Sequence, residues 1–164
     1  MVHHESQSLE GVNLIMRAVL AVALGIVVGI VVNIVLVVVC NFVLAELWTL
    51  NQNAAENIES NRHLRETFGW LCMLLTHGLG TLAGAATAAQ IAFKHKIRFA
   101  YIVGVFFLLL NLASEIIMRG SLSIPPTPLW FIAVDLVASY IPAAWLGGRI
   151  IMTKAKSTKI PDVD

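Results

Sequence analysis

Five side chains of chemically capable types stand inside apolar runs of this sequence: Asn41, His77, Asn111, Glu115 and Asp135. Asp135 is the most exposed to question. It interrupts PLWFIAVDLVASYIPAAWLGGRI, residues 128–150, which otherwise reads as a membrane span. A charge at the centre of a bilayer costs about 2.5–3.5 kcal/mol on insertion scales. The chain must therefore hide, neutralise or use this carboxylate. Intramembrane ionisable groups are functional candidates by default. A carboxylate beside an imidazole can hold or pass a proton.

Each residue also has a plain structural reading, and both readings stand. Glu115 has Arg119 four residues on, the spacing of an ion pair at a helix end. His77 can serve as a neutral imidazole bonding a neighbouring helix. Asp135 can accept from His77, Tyr140 or a backbone amide, or remain protonated where it is desolvated. Cys40 and Cys72 are expected as buried free thiols rather than a disulfide.

Other chemistries fail on spacing. The two cysteines form neither CxxC nor a Cys/His cluster, so a zinc site is not expected. The carboxylates of Glu115 and Asp135 lie at different depths, and one histidine is a poor metal set. Haem ligation by two histidines would need a second one in a span, yet His3, His4, His63 and His95 lie outside. There is no GxSxG, HExxH or P-loop. No catalytic residue and no cofactor are expected.

The elements that must position these groups are membrane helices. The 164 residues are 58% hydrophobic and only 13% charged, against about 25% charged for soluble domains, and mean hydropathy is +0.81. No basic block suggests nucleic acid. Four apolar segments stand out at about 14–45, 68–93, 97–117 and 128–151, each long enough for the ~20 residues that cross a bilayer. The reading is an all-α bundle of four transmembrane helices over 14–151, with an outer loop at 46–67. Residues 1–13 and 152–164 flank it as an N-terminal segment and a polar tail. The first apolar run is far longer than the ~7–15 residues of a signal h-region, so it reads as an uncleaved anchor. KHKIR, residues 94–98, makes a turn so tight that the second and third helices must form an antiparallel hairpin. The prolines of MRGSLSIPPTP, residues 118–128, end one helix and start the next.

Eight of the eleven Lys and Arg residues fall on the side of the termini, which predicts both termini in the cytoplasm. Trp48, Trp70 and Trp130 then fall at the outer boundary and Trp145 near the inner one, as an aromatic belt requires. At ~1.5 Å per residue, Asp135 lies about 10 Å below the outer boundary, His77 about 14 Å and Glu115 about 5 Å. Asn111 is one turn deeper than Glu115, and Asn41 is placed comparably on the first helix. All five candidates thus fall in the outer half.

Small residues mark the faces that pack, because in lipid helices associate by close approach. Gly25 and Gly29 form such a face on the first helix, Gly80 and Gly84 on the second, and Ser139, Ala143 and Gly147, in the row headed by Asp135, on the fourth. Asp135 should therefore face a helix and not lipid. The glycine pairs read as packing within the chain more readily than as a dimer seam.

HGLGTLAG (77–84), IVGVFFLLLNL (102–112), PLWFIAVDL (128–136) and YIPAAWLGGR (140–149) carry a resemblance to a family of small, uncharacterised bacterial four-helix membrane proteins. The resemblance implies architecture and a bacterial source, and no reaction; the expected location is then the bacterial cytoplasmic (inner) membrane. The functional expectation is a protein that works in the bilayer by helix association, with itself or with a membrane protein partner, without catalysis. The alternative is a small transporter or channel for a proton, cation or small solute, with the outer-half polar cluster as its path.

Overall fold

In a computed structural model, residues 2–51, 58–119 and 127–157 are described, with side chains at 12–46, 66–119 and 127–154. The expected boundary position of Trp48, the charges of Arg62 and Arg65, and the end of the tail lie outside these side chains. All four spans are helical: α1 (Val2–Asn51), α2 (Ile58–Ile91), α3 (Lys96–Arg119), and a fourth rod in three pieces. That rod comprises α4 (Leu129–Asp135), a π-helical turn (Leu136–Tyr140) and α5 (Ile141–Ser157). The stretches apolar enough to cross a membrane are Val12–Glu46, Glu66–Ile91, Lys96–Arg119 and Leu129–Lys154. The chain is an all-α, four-span membrane bundle.

The first two helices overrun their apolar segments. α1 begins within the polar N-terminal segment, and α2 starts at Ile58, inside the stretch 46–67 expected as loop. Apolarity tracks the thickness of the bilayer, whereas backbone hydrogen bonding continues wherever no breaker stops it. Between α2 and α3 the stop is clear. His95 takes a left-handed φ of 55°, and its carbonyl accepts from the Arg98 and Phe99 amides to start α3. Pro128 starts α4 in the same way. Its fixed φ of −58° suits a helix entrance, and its carbonyl accepts from Phe131 at 3.0 Å and Ile132 at 3.2 Å.

α2 is the hub. It packs on α1, on α3 and on the fourth rod, whereas α1 touches only α2 and α3 among the described residues. The α1–α2 seam is built from the two glycine pairs. A Cβ on Gly25 would meet the Gly84 carbonyl oxygen at 2.7 Å, and one on Gly29 would meet that of Gly80 at 2.9 Å. The fourth rod divides its glycines between two neighbours. A Cβ on Gly147 would strike the Leu82 carbonyl of α2 at 2.7 Å, and one on Gly148 would meet Ala100 of α3 at 3.0 Å. Ala85, Ala89, Ala100 and Ala144 fill the space between, all fully buried. Ala143 is buried beside them. Each of these contacts exists only because a side chain is missing or is a methyl group, the packing mode expected where lipid removes the hydrophobic drive.

Candidate functional site

The glycine–alanine layer occupies the half of the bundle nearer the α2–α3 turn. In the other half, toward the α1–α2 and α3–α4 connections, polar side chains fill the interior. Asp135 is the last residue of α4 and is 2% exposed. Both of its oxygens are engaged. Oδ2 lies 2.7 Å from His77 Nδ1 and accepts from Asn111 Nδ2 at 2.9 Å. Oδ1 accepts from Ser139 Oγ at 2.6 Å. Ser139 Oγ also lies 3.2 Å from the Leu74 carbonyl oxygen of α2. One carboxylate thus joins α2, α3 and the fourth rod. Among the described residues, no buried side-chain nitrogen or oxygen lacks a partner, which is what a polar group in a low-dielectric interior requires.

The π turn follows Asp135 directly and contains Ser139 and Tyr140. Pro142 gives it a cause. Proline has no N–H to donate, and its ring crowds the carbonyl four residues back, that of Ala138. A wider turn relieves that crowding. Such turns recur at functional sites. The consequence here is that Asp135, Ser139 and Tyr140 are all buried. The Tyr140 ring stands 5.8 Å from that of His77, so the imidazole is held between a phenol and a carboxylate. The Tyr140 phenol in turn neighbours Asn111.

Glu115 is buried one turn further along α3. Its Oε1 accepts from Thr127 Oγ1 at 3.3 Å, and Arg119 donates to the Thr127 carbonyl. Glu115 and Arg119 therefore converge on Thr127, just ahead of Pro128, and fasten α3 to the start of the fourth rod. Asn41 stands apart. It is exposed, and its amide donates to the Val37 carbonyl of its own helix at 2.9 Å. The structure thus brings together His77, Asn111 and Asp135, sets Glu115 beside them, and leaves Asn41 out. Ser139, expected as a packing residue, is a ligand of the carboxylate; its i+4 spacing from Asp135 is the signal for that role. Thr127 carried no sequence signal, since its part depends on how the 120–128 connection returns.

A cleft of about 380 Å³ lies against this cluster, between α1, α2 and α3. Asn33, His77, Asn111, Glu115 and Tyr140 give it a polar wall, and residues such as Ile34, Met73 and Phe107 give it apolar ones. Among the described residues, no three His, Cys, Asp or Glu side chains gather as a metal set. The chemistry available is hydrogen bonding and proton exchange at the Asp135–His77 pair, next to a space large enough for a small molecule or several waters. No family model, curated protein or solved structure matches the chain.

Proposed function

We propose that this is a small multi-pass protein of the bacterial cytoplasmic membrane that works by helix association, as an accessory subunit or a homo-oligomer, without catalysis. Both termini face the cytoplasm in this reading, and the Lys and Arg distribution supports that orientation. The observation that carries the reading is where the polar groups stop. Beyond Thr81 the interior of the bundle becomes Ala85, Ala88, Ala89, Ala92, Ala100 and Ala144, all buried. The Thr87 hydroxyl donates to its own helix at Ala83, and Gln90 is exposed. A cluster open on one side and sealed below by backbone-to-backbone contact suits binding better than conduction.

α1 supplies the surface for association. Opposite its glycine seam it presents Val27, Val31, Val35, Val38 and Phe42, each more than half exposed. The test is cysteine scanning of Val27, Val31 and Val38 in a Cys40→Ser, Cys72→Ser background, with oxidation in native membranes. Cross-links to a second copy or to a partner of fixed mass support the proposal. Monomer at every position, together with proton or cation flux into liposomes above the empty-vesicle level, overturns it.

The alternative is a small transporter. The 2.7 Å Asp135–His77 contact favours it, because a carboxylate–imidazole pair beside a cleft is a proton-exchange geometry. In that case Asp135→Asn keeps the fold and abolishes the flux.

A further inference from the structure

Cys40 and Cys72 are both free thiols, on α1 and α2 respectively. The α1–α2 seam fixes where they meet. Along it, Gly25 lies against Gly84, Gly29 against Gly80, and Asn33 against Gly80 at 3.1 Å from a built Cβ. Steps of one turn up α1 match steps of one turn down α2. Two turns beyond Asn33 is Cys40, and two turns back from Gly80 is Cys72. The seam's register therefore sets one cysteine against the other. The two thiols are near enough to influence one another electrostatically. Cys72 is buried and Cys40 is partly exposed at the helix surface, so a membrane-soluble reagent reaches Cys40 more readily than Cys72.

We infer that Cys40 and Cys72 form an oxidisable dithiol, a modification site whose co-reactant is a membrane-permeant disulfide and whose product covalently pins α1 to α2. The exchange balances without any further oxidant. One cysteine sulfur, having lost its proton, attacks the reagent disulfide, giving a mixed disulfide and one released thiol. The second cysteine sulfur attacks the first, giving the Cys40–Cys72 bond and a second released thiol. The two protein thiols lose two electrons, and the reagent gains them. Pinning matters because α1 is one wall of the cleft: Asn33 and Ile34 line it from α1, and Met73, the neighbour of Cys72, lines it from α2. The bond would close the seam beside that wall and fix the width of the cleft. This site is independent of whether the protein associates or transports.

The test uses the full chain in native membranes with 4,4′-dithiodipyridine in equimolar amount. The expected product has lost two hydrogens from its intact mass and yields, without reduction, one peptide joining α1 to α2; dithiothreitol restores the starting mass. Cys40→Ser and Cys72→Ser, with one thiol each, cannot lose those hydrogens and serve as mass standards. Three results overturn the proposal: stable pyridyl adducts on the two cysteines separately, a covalent dimer through Cys40, or no reaction of the native chain while both thiols react after denaturation.

Discussion

Replacing Asp135 with two different side chains separates the hydrogen-bonding role of its carboxylate from its charge. Asp135→Leu removes three accepted bonds at 2.6, 2.7 and 2.9 Å. Ser139 is then not stranded, because its hydroxyl can turn fully to the Leu74 carbonyl at 3.2 Å. His77 and Asn111 are stranded. Each unmet buried donor costs about 1–3 kcal/mol, and His77, at 18% side-chain exposure, recovers part of that through the cleft. The expected loss is about 2–4 kcal/mol. Asp135→Asn behaves differently. The two neighbours that must donate, His77 and Asn111, both meet Oδ2, so a single amide oxygen there satisfies both. The amide nitrogen then faces Ser139 Oγ, which can accept from it while donating to Leu74. Every polar group keeps a partner, and only the charge assistance of the original bonds is lost. The expected cost is at most about 1 kcal/mol. The assay is equilibrium unfolding in mixed micelles with increasing sodium dodecyl sulfate. If Asn is as costly as Leu, hydrogen-bond satisfaction is not what Asp135 supplies, and the network must depend on a charged Asp135–His77 pair.

The glycines give a graded set. Gly84→Ala and Gly147→Ala should each destabilise by about 1–3 kcal/mol through overpacking, since the new methyl would meet backbone oxygen at 2.6 and 2.7 Å. Gly69→Ala, with nothing within 4 Å, should be neutral or stabilise by up to about 1 kcal/mol through helix propensity; equal effects at all three in the same micelle assay would remove the seams from the account. Thr127→Val should loosen the α3–α4 corner by about 0.5–1.5 kcal/mol, the net worth of one hydrogen bond, and raise protease cleavage between α3 and α4; unchanged cleavage would mean Glu115 needs no partner there. For topology, an impermeant maleimide applied to intact cells should label a cysteine at position 57 and spare one at position 156, and the reverse pattern would exchange the two faces of the membrane.

The architecture was legible because the bilayer demands so much of a sequence. A span must be apolar for about 20 residues, whatever else it does, and the turn at KHKIR leaves α2 and α3 no arrangement but a hairpin. The glycine pairs of α1 and α2 were visible as spacing, but their pairing with one another was not, because any two such faces are mutually compatible in the sequence. The division of Gly147 and Gly148 between α2 and α3 was hidden for the same reason. Counting residues from each boundary placed Asp135, His77 and Asn111 near one depth, but depth says nothing of direction. Asn41 shows the difference: it sits in the right half of its helix, yet its face turns away from α3 and the fourth rod. Tyr140 shows the converse. On a regular helix, five residues separate it from Asp135 by about 140° around the axis, so spacing alone does not put the two on one face. The π turn ahead of Pro142 removes that conflict.

Pro142 therefore links the backbone to the polar cluster. The wide turn sits between Asp135 and α5, so the rod can change phase there. Above it, Asp135 is aimed at His77 and Asn111. Below it, Ala144 meets Gly104, where a built Cβ would approach to 2.5 Å, and Gly147 meets the α2 backbone. A straight α-helix would have to satisfy both halves with a single phase, and the close glycine contacts leave little room for compromise. On this account Pro142→Ala should cost more than a favourable proline-to-alanine change in a helix ordinarily gains. Removing the proline lets the turn tighten toward α-helical geometry, which rotates Asp135 away from His77 or lifts Gly147 off α2. The double variant Pro142→Ala with Asp135→Asn tests the link. Coupling of about 0.5–3 kcal/mol between the two changes in the micelle assay is expected. Strict additivity would mean that the turn and the cluster are merely neighbours along the chain.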